Sequence, residues 1–136
     1  MKDDTCIFCR IAAGEILSKT LYEDDEFRVI LDLEPATKGH ALILPKNHYR
    51  NLFELPKEQA EKAIVLAKKM ALRMQEKLHC DGLNLVQNNG ETAGQTVFHF
   101  HIHLIPRYEG DGQVIGWKPG KPEDAELEAV RKTIAE

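Results

Sequence analysis

Three of the chain's six histidines, His99, His101 and His103, alternate with large apolar residues within positions 95–106. A β-strand has a period of two, so the pattern predicts one strand whose three imidazoles share a face. A strand facing water could also carry polar residues on one side, but it has no need for histidine at all three positions. The opposite face is predicted to be buried and consists of Phe98, Phe100, Ile102 and Leu104.

The spacing of these histidines indicates that they have different tasks. Alternate residues of a strand lie about 6.6 Å apart, so His99 and His103 are predicted to be about 13 Å apart. One metal ion with bonds of about 2.0 Å to nitrogen cannot bind both. The middle histidine, His101, has potential partners on both sides and is the expected nucleophile. Neutral imidazole has a free lone pair near pH 7 and can attack phosphorus, which gives a phosphorus–nitrogen intermediate that water then cleaves.

The loop that precedes the histidines carries groups that stabilise a phosphate. Residues 88–95 are too long and too rich in Asn and Gly for a tight hairpin turn, so we expect them to hold a ligand. Glycines permit close approach, while amides, a hydroxyl and backbone N–H groups donate hydrogen bonds. The chain lacks the GxxxxGKS/T motif of triphosphate-binding loops. The predicted phosphate cradle consists of Asn88, Gly90, Gly94, Gln95 and Thr96.

Two of the three cysteines lie close together, in the segment Cys6-Ile-Phe-Cys9. A disulfide between them would close too short a loop to stabilise the fold, so a metal site, two free core thiols or a redox pair are the alternatives. A redox pair normally opens a helix after a strand, and only residues 1–5 precede this one. Cys80 is predicted to be a lone buried thiol after a helix.

Length and composition favour one domain over residues 1–136. The chain has 136 residues, 43% of them hydrophobic, which is enough for a single core. It has no long apolar run and no pattern of a targeting segment, so we expect a soluble, cytoplasmic protein. The net charge of −4 and the absence of a basic cluster argue against nucleic-acid or membrane binding.

Short elements are predicted in the first third of the chain. Thr5 is expected to cap a short helix that ends at Gly14. Two strands joined by the acidic turn at 24–26 form a hairpin, and a compact apolar run that ends at Pro45 is typical of a central strand. The predicted strands cover residues 19–23, 27–31 and 40–44.

The rest of the chain predicts one long helix, two more strands and a final helix. Apolar residues recur at intervals of three and four from Lys57 to Leu78, and Asp81-Gly82 is expected to end this helix. A fourth strand covers residues 83–87, the histidine strand is the fifth, and a polar helix begins near Pro122. Consecutive strands without a βαβ rhythm predict an α+β fold with an antiparallel sheet of about five strands and short terminal helices.

The sequence His99-Phe-His101-Ile-His103-Leu-Ile105 resembles the motif of the histidine triad (HIT) superfamily of nucleotide hydrolases and transferases. The resemblance covers about residues 5–108 and is specific. Bacterial members of the branch that includes the nucleoside phosphoramidases are similar at five segments, which are residues 6–9, 22–25, 31–32, 39–48 and 89–99.

The resemblance implies a role for each matching residue. His101 takes the position of the nucleophile that becomes nucleotidylated, and His103 that of the histidine that contacts the phosphate and assists the leaving group. His40 matches a fourth histidine that supports the triad by hydrogen bonding, and Asp32 matches the carboxylate that holds the ribose hydroxyls. The implied phosphate contacts are Asn88, Gln95 and Thr96, and the implied apolar base pocket is Ile7, Phe8, Ile11, Ile16, Ile30 and Leu33.

The resemblance also favours metal for the cysteine pair. Similar bacterial proteins bind a structural zinc ion with such a pair, the histidine of a Pro-Lys-x-His segment and the first triad histidine. The corresponding residues here are Cys6, Cys9, His48 and His99, which form a closed tetrahedral set for one zinc per chain. His99 would then face zinc while the other two histidines face the phosphate.

The resemblance implies a homodimeric hydrolase. It would bind a purine nucleoside monophosphate group and cleave its α-phosphorus from an amine through a nucleotidyl-His101 intermediate. The alternatives are a dinucleoside polyphosphate hydrolase, a purine-nucleotide-binding regulator with incidental hydrolysis, and a zinc-dependent interaction module. The tail at residues 109–136 departs from the best-known eukaryotic members, and this tail often shapes the leaving-group side in the superfamily.

Overall fold

A five-stranded antiparallel sheet forms the frame of the computed structural model, which describes residues 2–136. Three α-helices and one 3₁₀ turn accompany it, and the architecture confirms the predicted α+β fold. The strands are β1 (Thr20–Glu23), β2 (Phe27–Leu31), β3 (Ala41–Pro45), β4 (Gly82–Val86) and β5 (Ile102–Arg107). The helices are α1 (Ile7–Ala12), α2 (Lys57–Leu78) and α3 (Asp124–Ala135), and the 3₁₀ turn is Glu91–Ala93.

The strand order β1-β2-β3-β5-β4 places the histidine strand inside the sheet. His103 of β5 lies opposite Leu42 of β3 on one side and Val86 of β4 on the other. A position between two neighbours fixes the register of β5.

The middle of the sheet is buried on both faces, with α2 on one side and α1 on the other. Alternate residues of β3 point to opposite faces, so Ile43 packs under α2 while Leu42 packs near α1. Burial on both faces explains why β3 is a continuous apolar run in the sequence. On β5, Ile102 and Leu104 belong to the α2 side, which leaves His103 for the α1 side.

Helix α2 has the predicted bounds, but its apolar residues divide between two directions. The buried side includes Leu66, Met70 and Met74, which pack on the sheet. Ile64 has the spacing of a core position in the apolar repeat, yet it is 53% exposed. The helix ends at Leu78 because His79 adopts a left-handed backbone, with φ of 54°. The prediction that Asp81-Gly82 ends it was wrong.

Three other local predictions need correction. The cap of α1 is the Sγ atom of Cys6, which accepts from the backbone N–H of Cys9, and not Thr5, whose N–H and hydroxyl both donate to Asp3. Cys80 is half-buried and not buried. The hydrogen-bonded strand β5 begins only at Ile102.

No described helix is long and apolar enough to cross a bilayer.

Candidate active site and metal centre

His101 is held in one tautomer by a backbone carbonyl. Its Nδ1 lies 2.7 Å from the carbonyl oxygen of His99, and a carbonyl can only accept, so Nδ1 carries the proton. The neutral ring then keeps its lone pair on Nε2. The ring of Phe8 packs edge-on against it, with centroids 5.0 Å apart, which fixes the plane of the imidazole. This arrangement presents an oriented nucleophilic nitrogen.

His103 is oriented by a chain of two hydrogen bonds. The backbone N–H of Ala36 donates to Nδ1 of His40 at 2.9 Å, so the proton of His40 is on Nε2. Nε2 of His40 lies 2.9 Å from Nδ1 of His103 and donates to it. His103 therefore keeps its own proton on Nε2 and can donate it to a ligand. Asp32 lies 3.6 Å from Nε2 of His40 and favours this polarity.

Burial keeps these rings neutral. It lowers the pKa of His101 and His40 below the ordinary value of 6.5, although the charge of Asp32 partly opposes the effect. Burial, followed by the neighbouring His101 and His40, lowers the pKa of His103 to about 4. At neutral pH the site therefore contains one free lone pair and one N–H donor on adjacent rings, whose centroids lie 5.0 Å apart.

A cavity of about 550 Å³ opens in front of these two histidines. Its lining combines apolar and polar side chains, which suits a ligand with a flat ring joined to a charged group. The polar members include Asp32, Thr96 and the rings of His101 and His103. The apolar members include the complete predicted set of Ile7, Phe8, Ile11, Ile16, Ile30 and Leu33.

A second cluster brings together Cys6, Cys9, His48 and His99, whose ligand atoms all lie within 4.8 Å of one another. Nδ1 of His99 lies 3.4 Å from Sγ of Cys6 and 3.5 Å from Sγ of Cys9, and Nδ1 of His48 lies 3.4 Å from Sγ of Cys9. A tetrahedral zinc ion with bonds of about 2.3 Å to sulfur and 2.0 Å to nitrogen separates such atoms by about 3.5 Å. The donor set therefore fits zinc.

Protonation at His99 supports the same conclusion. Its Nε2 lies 2.8 Å from the carbonyl oxygen of Pro45, which leaves the lone pair on Nδ1, toward the thiols. Burial raises the pKa of the Cys9 thiol to about 11, so a cation that displaces this proton compensates the cost of a buried thiolate. Cys6, Cys9 and Cys80 are all free cysteines.

The family assignment follows from comparison with known proteins. The model of the HIT domain family matches residues 13–110. This chain belongs to the HIT domain family. A HIT family protein of Bacillus subtilis has a structure with a TM-score of 0.90 and 41% identity, over 97% of this chain and 96% of that chain.

Two other relatives are similar over almost the whole chain. The adenosine 5'-monophosphoramidase of Saccharomyces cerevisiae is 39% identical over 133 residues, which are 97% of this chain and 82% of that protein. A zinc-bound histidine triad family protein of Mycobacterium smegmatis has a TM-score of 0.76 and 35% identity, over 96% of this chain and 94% of that chain. The family includes hydrolases that act on nucleotides.

Within the described residues, five residues predicted for catalysis or phosphate binding lie outside the lining of the cavity in this HIT domain, namely His40, Asn88, Gly90, Gly94 and Gln95. His40 lies behind His103. Gln95 is buried and connects its own loop to the segment at Arg50, because its side-chain oxygen accepts from Gly90 and its amide donates to the Arg50 carbonyl, both at 2.8 Å. Asn88 lies beside Gly94 in that loop. Contacts of Asn88 and Gln95 with phosphate stay predictions.

Sequence reasoning missed part of the cavity wall. The hairpin register could have indicated it, because Thr20 lies opposite Ile30, which places residues 17–19 beside the segment after β2. The backbone N–H of Leu31 donates to the carbonyl of Lys19 at 2.9 Å, which holds the two segments together. The additional wall residues are Leu17, Ser18, Lys19, Leu31, Glu34, Leu42 and Val97.

Proposed function

We propose that this HIT protein hydrolyses purine nucleoside 5'-phosphoramidates through a covalent intermediate on His101. The single observation that carries the proposal is the adjacent pair of rings with opposite polarity, a lone pair on Nε2 of His101 and an N–H on Nε2 of His103. The 39% identity to an adenosine 5'-monophosphoramidase supports the choice of leaving group. The apolar side chains that line the cavity receive the purine, and Asp32 accepts hydrogen bonds from the ribose hydroxyls.

The reaction takes place in two displacements. Nε2 of His101 attacks the α-phosphorus, the phosphorus–nitrogen bond of the substrate breaks, and the amine leaves with a proton from water. The N–H of His103 donates to the phosphoryl group and stabilises its negative charge. The Nδ1–H of His101, bonded to the His99 carbonyl, carries the positive charge of the intermediate. Water then attacks phosphorus, neutral His101 leaves, and one proton returns to solvent.

His101→Ala is the direct test. We expect turnover of an adenosine phosphoramidate to fall by at least about 10⁴-fold, while nucleotide binding stays measurable, because the cavity wall is otherwise intact. A matched control is His79→Asn, which replaces an exposed histidine outside the site with a residue that tolerates its left-handed backbone. Intact mass spectrometry of the parent protein after an alkaline quench should show an added nucleotidyl group, and the His101→Ala variant should lack it. Unchanged turnover in His101→Ala would refute the assignment.

A substrate panel separates this reaction from its rivals. Adenosine and guanosine phosphoramidates measure base preference, and diadenosine polyphosphates test the dinucleoside polyphosphate reaction. Tight nucleotide binding without turnover of any phosphoramidate would instead show a regulator.

The Cys6, Cys9, His48 and His99 cluster is proposed to hold one structural zinc ion. The fit of the four donors and the zinc-bound relative support this assignment. The ion would join α1 to the segment before β5, so its contribution is to the fold. Cysteines that form no disulfide suit a reducing compartment, and we therefore include a cytoplasmic location in the proposal.

We also propose that the partner of this chain is a second copy. β4 is an edge strand of the sheet, and Leu85 on it is 45% exposed. It borders an apolar groove of about 450 Å³ formed with Ile64 and neighbouring residues of α2. An exposed apolar patch beside a free strand edge is typical of a subunit interface. Leu85→Arg should convert a dimer to a monomer in light scattering; a parent chain that is already monomeric would contradict the proposal.

A further inference from the structure

The loop that orients His40 is held by a segment beyond the HIT domain match. Gln113 lies after residues 13–110, and its side-chain amide donates to the carbonyl of Ala36 at 2.9 Å. The N–H of Ala36 donates to Nδ1 of His40, also at 2.9 Å. Ala36 therefore connects Gln113, in the segment after β5, to the series of hydrogen bonds that ends at His103.

Two more contacts hold the same loop. The hydroxyl of Tyr108 donates to the carbonyl of Lys38 at 2.7 Å. The hydroxyl of Thr37 donates to the carbonyl of Pro106 at 2.5 Å. Three consecutive loop residues are thus anchored to the end of β5 and the turn that follows it.

The turn itself is built to keep Gln113 in place. Both carboxylate oxygens of Asp111 accept from the guanidinium of Arg107, at 2.8 and 2.9 Å. Asp111 also accepts from the backbone N–H groups of Tyr108 and Gln113, each at 3.0 Å. The guanidinium further donates to the Gln113 carbonyl at 2.6 Å. A bidentate ion pair with two backbone bonds is a strong local constraint.

We propose that Gln113 and Tyr108 are positioning residues that fix the tautomer of His103 through the loop at residues 36–38. They keep the Ala36 N–H on Nδ1 of His40, which makes His40 a donor to His103 and leaves the His103 N–H for the substrate. Without that N–H, His40 can exchange tautomers, and part of the population presents a lone pair of His103 to the anionic phosphate. The effect on turnover rests on the proposed function, whereas the effect on tautomers does not.

Nitrogen-15 chemical shifts of the ring nitrogens test the tautomer claim directly in the full chain at neutral pH. The parent should show unprotonated Nδ1 and protonated Nε2 on both His40 and His103. Gln113→Ala and Tyr108→Phe, and most strongly their combination, should shift these signals toward averaged values. Val114→Ala is the matched control, because this side chain follows Gln113 and is 91% exposed. Unchanged shifts in the double variant would overturn the proposal.

Kinetics separate the proposal from a purely structural role. Each single variant should lower kcat for an adenosine phosphoramidate about fivefold with KM within twofold, the equivalent of roughly 1 kcal/mol for one hydrogen bond. A fall in kcat with unchanged nitrogen shifts would also overturn the proposal. A parent without phosphoramidase turnover would refute the proposed function, and the nitrogen shifts would then decide the positioning role alone.

Discussion

Removing the metal should destabilise the protein far more than it slows the chemistry. Zinc at the cysteine and histidine cluster would close two loops in the chain. One joins Cys9 to His48, 39 residues apart, and the second joins His48 to His99, 51 residues further along. In the chain-entropy description, closing a loop of this length stabilises the fold by about 4 kcal/mol. Domains of this kind have net stabilities of about 5–15 kcal/mol, so losing even one closure is a large change.

Thermal unfolding measured by circular dichroism, with and without a chelator, tests this reasoning. One kcal/mol changes the Tm of a domain of this size by about 3–4 °C, so losing one closure should lower Tm by about 12–16 °C. Cys9→Ser should have a similar effect, and elemental analysis should show its zinc content fall from about one per chain. Cys80→Ser is the matched control, because this half-buried thiol lies outside the cluster.

Two results would refute the structural role. A chelated parent with an unchanged Tm would show that the cluster does not hold the fold together. A chelator that stops turnover at 25 °C at once, without unfolding, would show that the metal takes part in the chemistry. The expected result is that the folded, chelated chain retains turnover within a few-fold of the parent.

Three other outcomes are expected. Phe8→Ala removes the ring that packs against His101 and part of the apolar lining of the cavity, so KM for a purine phosphoramidate should rise at least tenfold in steady-state assays. An unchanged KM would contradict the proposed base pocket. Gly39→Ala should cost about 2–4 kcal/mol in urea unfolding, because its φ is +91° and a Cβ would overlap the side chain of Leu78. A cost below about 1 kcal/mol would show that the loop relaxes. Burial lowers the pKa of His103 in the folded state to about 4, so the unfolded chain binds a proton at a higher pH than the folded chain does. The free energy of unfolding should therefore fall as the pH decreases from about 6.5 to 4, by up to about 1.4 kcal/mol per pH unit. Urea titrations across this range should show a smaller pH dependence in His103→Asn.

The elements of the fold were largely predictable because their signals are local. The bounds of α2 follow from the periodicity of its apolar residues, and the hairpin of β1 and β2 follows from two strand-like runs around an acidic turn. The predictions that failed concerned the side of a helix that the fold leaves exposed and a backbone conformation that the local sequence does not specify. Ile64 has the spacing of a core residue, yet it lies on the side of α2 that the chain leaves uncovered. Helix α2 ends at His79 because this residue adopts the left-handed backbone conformation. Glycine is the residue that most often does so at the end of a helix, so the sequence signal was weaker here.

The start of β5 shows the same limit. Alternation of histidine with apolar residues continues from His99 to His103, but a strand also needs a paired neighbour. The N–H of Phe100 donates to the carbonyl of Tyr49, in a loop, and the chain bends at residues 97–99, so this part of the motif lies outside the sheet. Gln95 is a further case, since an amide next to glycines suits a phosphate contact, whereas here it connects its own loop to the segment at Arg50. A sequence pattern shows which residues alternate, but it does not show which hydrogen-bond acceptors they bind in the fold.

The different roles proposed for His99 and His101 follow from which ring nitrogen a backbone carbonyl occupies. The Pro45 carbonyl binds Nε2 of His99 and turns the lone pair on Nδ1 toward the thiols. The His99 carbonyl binds the opposite nitrogen, Nδ1 of His101, and frees Nε2 for the cavity. Because a neutral imidazole has one donor and one acceptor, each carbonyl contact decides the chemistry available at the other end of the ring. Two histidines at a period of two thus direct their lone pairs toward the cysteines and toward the cavity, respectively, through backbone acceptors that no sequence motif records. Exchanging the bound nitrogen would turn either lone pair away without changing a side chain.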